Sequence, residues 1–319
     1  MSAVVPMSRS SQCFPEAKHL SRQPRSSRWH IQALRKSLLW VGCSLLALPF
    51  HSCTFAEEIP ATAKAVSGWS ETGAQAWTAE NRLWIQLASV KKDEVVKVPR
   101  FIGVVKQVTW LRGSDVMLNV QPEPDHWTIR LTALPDGADK AAQQTLVLQF
   151  DEPPILFSQR KPVQADQHGV ITLRAREGSV HGANLRYEPQ PHKNTVGYWS
   201  NEQDWAEWHF AVTKPGAYEL EILQGCGKGH GGSKVVIETA DQKTAFEVQE
   251  TGHFQNFVWR KLGTVKLAES DDIGLTVRCQ QKISGAVMDI RAIRLAPAAA
   301  PRSFDPELAA PEALPTAAK

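Results

Sequence analysis

The segment "ETGHFQNFVWRKLGTV", residues 250–265, sets His253, Phe254, Gln255, Asn256 and Phe257 directly behind Gly252. An aromatic face beside carboxamides can stack on the C–H face of a sugar ring while the amides take its hydroxyls. The same residues can equally form a turn that leads into a strand. A small-ligand site needs only a few convergent polar groups on an apolar surface. Aromatic side chains are plentiful nearby: four tryptophans fall within residues 199–259, and Trp199, Trp205 and Trp208 crowd "GYWSNEQDWAEWHF".

Other chemistry is weaker. "GCGKGHGGSK" places Gly227, Gly229 and Gly232 at the dinucleotide spacing. That motif needs a helix immediately after it to hold the pyrophosphate. Here "KVVIETA" follows, which alternates like a strand, so the glycines read as a hairpin loop. His181, His192, His209, His230 and His253 lack metal-ligand spacing. No serine sits in a nucleophile elbow. Carboxylates such as Glu202, Asp204 and Glu207 are numerous, and nothing in the sequence selects the pair that glycoside hydrolysis needs. The chain reads as non-catalytic.

Strands must position these residues. After residue 60 the apolar residues alternate with period two, the sign of strands with one wet face. Leu83, Ile85 and Leu87 share a side, as do Trp127, Ile129 and Leu131, and Leu146, Leu148 and Phe150. Turn residues in "LRGSD" and "LPDGADK" separate these runs. They predict a small β domain over residues 64–152. The proline-bearing stretch at 153–169 reads as a linker, since its prolines cannot occupy a regular central strand. A second β block spans 170–297, in which Trp208, Phe210 and Val212 share a face and Trp199 precedes the strand. Short strands with Gly and Pro turns predict a sandwich or jelly roll there. Residues 298–319 are rich in Ala and Pro and read as a disordered tail.

The amino terminus is different. Residues 1–36 carry a net charge of +6, and the remainder of the +3 chain is therefore at −3. An uncharged run, "SLLWVGCSLLALPFHSCTFA", follows and ends before "EE". Basic region, short apolar run and small residue before acid describe a secretory signal over residues 1–56. The apolar core is short for a membrane span. Export to the periplasm or outside is the expectation, and the acidic remainder has no nucleic-acid footprint. Beyond the leader, Cys226 and Cys279 remain. They form either a disulfide, which export permits, or two buried thiols.

"NTVGYWSNEQDWAEWHFAVTKPGAYELEI", followed by "TGHFQNF", resembles the family-six-like carbohydrate-binding modules. The shared features are an Asn-x-Gly-Tyr stretch, an Asp-Trp before an aromatic strand, a Pro-Gly turn, and a Thr-Gly motif ending in Gln-Asn-aromatic. The resemblance covers residues 170–297. It implies a β-sandwich of the galactose-binding type, a glycan or polysaccharide as partner, and a structural calcium. "VTWLRGSDVMLNVQPEPDHWTIRLTALPDGAD" and "TLVLQFDEPP" are similar to the carboxy-terminal β-sandwich of bacterial α-L-fucosidases. A catalytic barrel needs roughly 250 residues of its own, and the two β blocks already occupy most of the chain. The implied protein is an accessory to glycan degradation, with a glycoside hydrolase as partner. An interaction module that kept the fold and lost the sugar is the alternative, and a hydrolase remnant the third. Phe254 stands where these modules carry a stacking tryptophan. The implied sugar site gathers Tyr187, Trp199, His253, Phe254 and Asn256 at one rim. Glu177 in "ITLRAREG" and Asp289 in "GAVMDIRAI" are the nearest carboxylates for the implied calcium.

Overall fold

The computed structural model describes residues 58–69, 71, 73–112, 116–135, 144–302 and 305–308. The predicted leader over 1–56 and the tail beyond 308 lie outside the described residues. Among those described, no helix is long and apolar enough to cross a membrane.

The fold is all-β, as the period-two patterns predict. A five-stranded antiparallel sheet orders Lys64–Ala65, Ala74–Ala79, Arg82–Leu87, Gln144–Phe150 and Val105–Trp110. A three-stranded sheet of Val95–Pro99, His126–Arg130 and Val120–Pro122 faces the same core. The residues assigned to the inner face are buried: Leu83, Ile85, Trp127, Ile129, Leu146, Leu148 and Phe150. Trp127 stacks on Phe150 at 6.3 Å between centroids.

The second sandwich has two sheets. One runs Arg186–Glu188, Thr195–Gly197, Asp289–Pro297, Gly216–Gly225 and Val258–Leu267, with Ile171–Arg174 also paired to Asp289–Pro297. The other runs Ser179–His181, Trp205–Val212, Ser270–Gln281, Lys234–Thr239 and Gln242–Glu247. Trp208, Phe210 and Val212 point into the core between them. Trp208 Nε1 donates to the Arg174 carbonyl at 2.8 Å, so the buried indole leaves no unpaired donor. Cys226 and Cys279 are both free thiols. Burial pushes each thiol up to about 11, so neither is a reactive thiolate near neutral pH.

The proline-bearing connector is short of ladder pairing but not loose. Ile155–Leu156 pairs with Phe101–Ile102 at an edge, where prolines are tolerated. Arg100 is buried beside it. Its guanidinium lies over the rings of Phe157 (3.9 Å) and Tyr187 (4.9 Å) and donates to the Arg176 carbonyl at 3.1 Å. Desolvation lowers the Arg100 guanidinium to about 9. The Val105 amide donates to the Pro189 carbonyl at 2.9 Å, so backbone also bridges the two β blocks.

The tail reading is corrected at residues 305–308. Asp305 pairs with Arg174 at 2.7 Å, and Glu307 pairs with Arg176 at 2.9 Å. Leu308 is buried against Leu223, Phe257 and Ala292. Composition alone cannot report that a short acidic-apolar segment finds the buried Arg176 and the half-buried Arg174.

Candidate functional site

Of the five residues expected to share a rim, the structure brings Trp199 and Phe254 to one cavity and engages Tyr187, His253 and Asn256 in other bonds. Tyr187 is 1% exposed. Its hydroxyl lies 3.1 Å from the Gly103 carbonyl and 3.0 Å from Asn194 Oδ1, in the seam between the β blocks. It offers no face to a ligand. Trp199 is also 1% exposed, with Nε1 donating to the Asp204 carbonyl at 3.1 Å. It belongs to the core and only backs the wall of the cavity described below. His253 and Asn256 hold their own turn: Gln255 N donates to His253 Nδ1 at 3.1 Å, and Asn256 Nδ2 donates to the Thr251 carbonyl at 2.5 Å. Only Phe254 lies where the sugar reading requires.

A cavity of about 390 Å³ opens between Phe254, Gln255, Tyr198, Glu188, Lys193 and Asp289, with Trp199 behind. Its size suits a small ligand. Tyr198 is its aromatic wall. It is 55% exposed and held at φ +59°, the left-handed region that an aromatic residue rarely occupies. The Arg186 guanidinium covers one ring face at 3.8 Å. Phe254 packs one ring edge over Gly227, lies 5.2 Å from the His230 ring, and still lines the cavity. The opening segment is a turn that leads into a strand, and one of its rings, Phe254, lines a cavity.

The floor is acidic. Glu188 is 5% and Asp289 4% exposed. A methyl placed on Gly197 would meet Asp289 Oδ1 at 2.8 Å and Glu188 Oε2 at 3.0 Å, so the carboxyl groups converge on one spot. Lys193 Nζ donates to Glu188 Oε1 at 2.5 Å. Asp289 has only a 3.5 Å contact from Gln255 Nε2 as a side-chain hydrogen bond. Burial pushes its carboxyl well above the usual carboxylate range, and the neighbouring Glu188 raises it further; Lys193, Gln255 and Arg291 pull it down.

That shift has a consequence for stability. The folded state binds a proton at Asp289 at pH values where the unfolded chain has lost it, so stability increases as pH falls from the raised folded value toward about 4. Wild type should therefore gain on an Asp289→Asn variant as pH is lowered toward about 4 in urea titrations. A difference that stays constant with pH would contradict this.

Of the two carboxylates assigned to calcium, only Asp289 reaches this cavity. Glu177 Oε2 accepts the Arg174 amide at 2.8 Å and caps a short turn at Ala175–Glu177. Among the described residues no group of three or more His, Cys, Asp or Glu is arranged to hold a metal. The pair of Glu177 and Asp289 does not fit a calcium site.

A larger cavity, about 430 Å³, lies elsewhere and is lined by Arg174, Arg294, Arg302 and Asp305. It has no aromatic wall, and its arginines are paired to Glu219, Glu221, Asp305 and Glu307. The smaller cavity is the better candidate on chemistry.

Solved structures resemble parts of the chain. The chain is similar to carbohydrate-binding modules. A family-6 module from a marine laminarinase of Zobellia galactanivorans matches at 17% identity and TM-score 0.33, over 40% of this chain and 99% of the module. A family-35 module from Clostridium thermocellum matches at 12% identity and TM-score 0.34, over 40% of this chain and 98% of the module. An α-L-fucosidase from Vibrio sp. strain EJY3 matches at 13% identity and TM-score 0.31, over 70% of this chain. The chain spans 39% of that enzyme's length. No protein-family model matches the sequence, and no curated protein matches it.

Proposed function

We propose that this protein is an exported, non-catalytic glycan-binding accessory whose sugar site is the cavity between Tyr198 and Phe254. One observation carries the reading: an exposed aromatic ring, held at φ +59°, lines one cavity together with a second ring and two buried carboxyl groups. Backbone strain of this kind persists where surrounding structure over-determines it and clusters at ligand sites. The rings supply the apolar platform. Gln255, Glu188 and Asp289 supply the hydrogen bonds that distinguish one hydroxyl pattern from another.

The test is Tyr198→Ala on a glycan array and by calorimetry. Tyr198 is exposed and its ring meets only Arg186 among aromatic and cationic partners described, so stability should change by less than about 1 kcal/mol. Glycan binding should fall by at least about tenfold, as loss of one stacking platform costs 1–3 kcal/mol in comparable stacking sites. Unchanged binding would remove Tyr198, and with it this cavity, from the function.

The carboxyl pair favours a second reading, hydrolysis of a glycoside. One acid carries a raised proton affinity beside a second carboxyl group, the arrangement that divides acid and base roles. Turnover of an aryl glycoside that disappears in Asp289→Asn would replace binding by catalysis.

A further inference from the structure

The cavity's polar lining holds two carboxyl groups and one ammonium group. Two carboxyl groups converge over Gly197, and the one cation beside them, Lys193, is already committed to Glu188. Arg291, on the same strand as Asp289, donates to the Lys193 carbonyl at 2.6 Å and lies over Phe257 at 3.9 Å, so it too is engaged elsewhere. Asp289 is buried at the floor with one long amide contact, although buried polar side-chain atoms are ordinarily hydrogen-bonded and a carboxyl group has two oxygens to satisfy. What is missing is a donor, and one that brings positive charge. A neutral hydroxyl offers a single proton. An ammonium group offers three, and its charge-assisted bonds to carboxylate are about twice as strong as neutral ones. A uronic acid would bring a third carboxylate to the same spot.

We infer that the cavity selects a glycan bearing a free amino group, a hexosamine residue whose ammonium sits between Asp289 and Glu188 while its ring stacks on Tyr198. The inference rests on the sugar-binding reading and narrows its substrate class. No covalent step is involved. N-acetylation would remove both the charge and two of the donors, so the same sugar in acetylated form is the sharpest comparison.

The experiment is calorimetric titration of the full chain with glucosamine oligomers, and with N-acetylglucosamine, glucose and glucuronate oligomers of matched length, at fixed pH and about 0.15 M salt to screen long-range attraction. The glucosamine series should bind at least tenfold more tightly than the acetylated and glucose series, and glucuronate least. In Asp289→Asn and Glu188→Gln the preference for the free amine should collapse, while Tyr198→Ala should lose every series. Asp289→Asn is nearly isosteric and replaces a group whose charged form burial disfavours, so it is expected to fold; a denaturation midpoint near that of wild type checks this. Equal or weaker binding of the free amine, or a preference that survives both carboxyl variants, overturns the inference and leaves sugar binding standing. No binding by any series overturns both.

Discussion

Asp204→Ala should destabilise the protein more than any other single substitution near the candidate site, by about 3–5 kcal/mol. Asp204 is fully buried. Its carboxylate accepts three consecutive backbone amides: Ala183 N at Oδ1, and Asn184 N and Leu185 N at Oδ2, each at 2.8 Å. Its own carbonyl accepts the Trp199 indole. One side chain thus ties the turn that leads into Arg186–Glu188 to the loop that carries Tyr198 and Trp199. Removing it strands the buried Leu185 donor and the part-buried donors at Ala183 and Asn184, and an unsatisfied buried donor costs about 1–3 kcal/mol. For a domain of this size that lowers the melting temperature by on the order of 10 °C. Gly182 belongs to the same device: it sits at φ +118°, and a methyl there would lie 2.0 Å from Asp204 Oδ1. Asp204→Asn keeps one acceptor and should lose about half as much. Asp272→Ala, exposed and bonded to His209, is the control and should cost under about 1 kcal/mol. A loss for Asp204→Ala no larger than the control would show that these amides find other partners.

Asp204 also marks what the sequence could and could not convey. The strand cores were legible, because period two decides which residues a sheet buries; Leu83, Trp127, Phe150 and Trp208 all fall where alternation puts them. The stretch that holds the site was legible too, since "GYW" and "TGHFQNF" both border the cavity. Choosing within those stretches was not. Tyr187 and Trp199 were assigned to a ligand, yet one seals the seam between the β blocks and the other fills the core. Tyr198, one residue from Trp199, is the exposed ring. The two neighbours take opposite faces, Trp199 inward and Tyr198 outward, and nothing in their spacing says which ring goes where or reveals a positive φ at a tyrosine. Glu188 escaped notice for a related reason: it meets Asp289 only through strand pairing between residues about a hundred positions apart in the chain. His253 and Asn256 had the right chemistry for a ligand and spend it on their own turn.

The glycine-rich loop supplies the second large effect. Gly225→Ala should cost about 2–3 kcal/mol and abolish glycan binding together, which separates it from Tyr198→Ala, where only binding is lost. A methyl on Gly225 would lie 1.9 Å from the Phe254 carbonyl oxygen and 2.8 Å from its carbonyl carbon. Those are backbone atoms, so no rotamer change relieves the clash. The turn at residues 251–256 cannot simply slide, because Thr251 Oγ1 accepts the Cys226 amide at 2.8 Å and the Thr251 amide donates back to the Cys226 carbonyl at 3.0 Å. Relief must move Phe254 and Gln255, which line the cavity. Gly227 has a milder version of the same role, with a methyl 2.6 Å from Phe254 Cε2, the edge of a ring that can tilt. Gly227→Ala should therefore keep most of the stability and weaken binding. Gly229 is different: it sits at φ +77° with nothing within 4 Å of a methyl, so Gly229→Ala should cost about 1 kcal/mol of backbone strain and leave binding intact. The dinucleotide-like spacing of Gly227, Gly229 and Gly232 thus dissolves into separate causes, close approach at Gly227 and left-handed turns at Gly229 and Gly232. If Gly225→Ala binds glycan as wild type does while Gly229→Ala does not, Phe254 and its turn are not what the loop is built to admit.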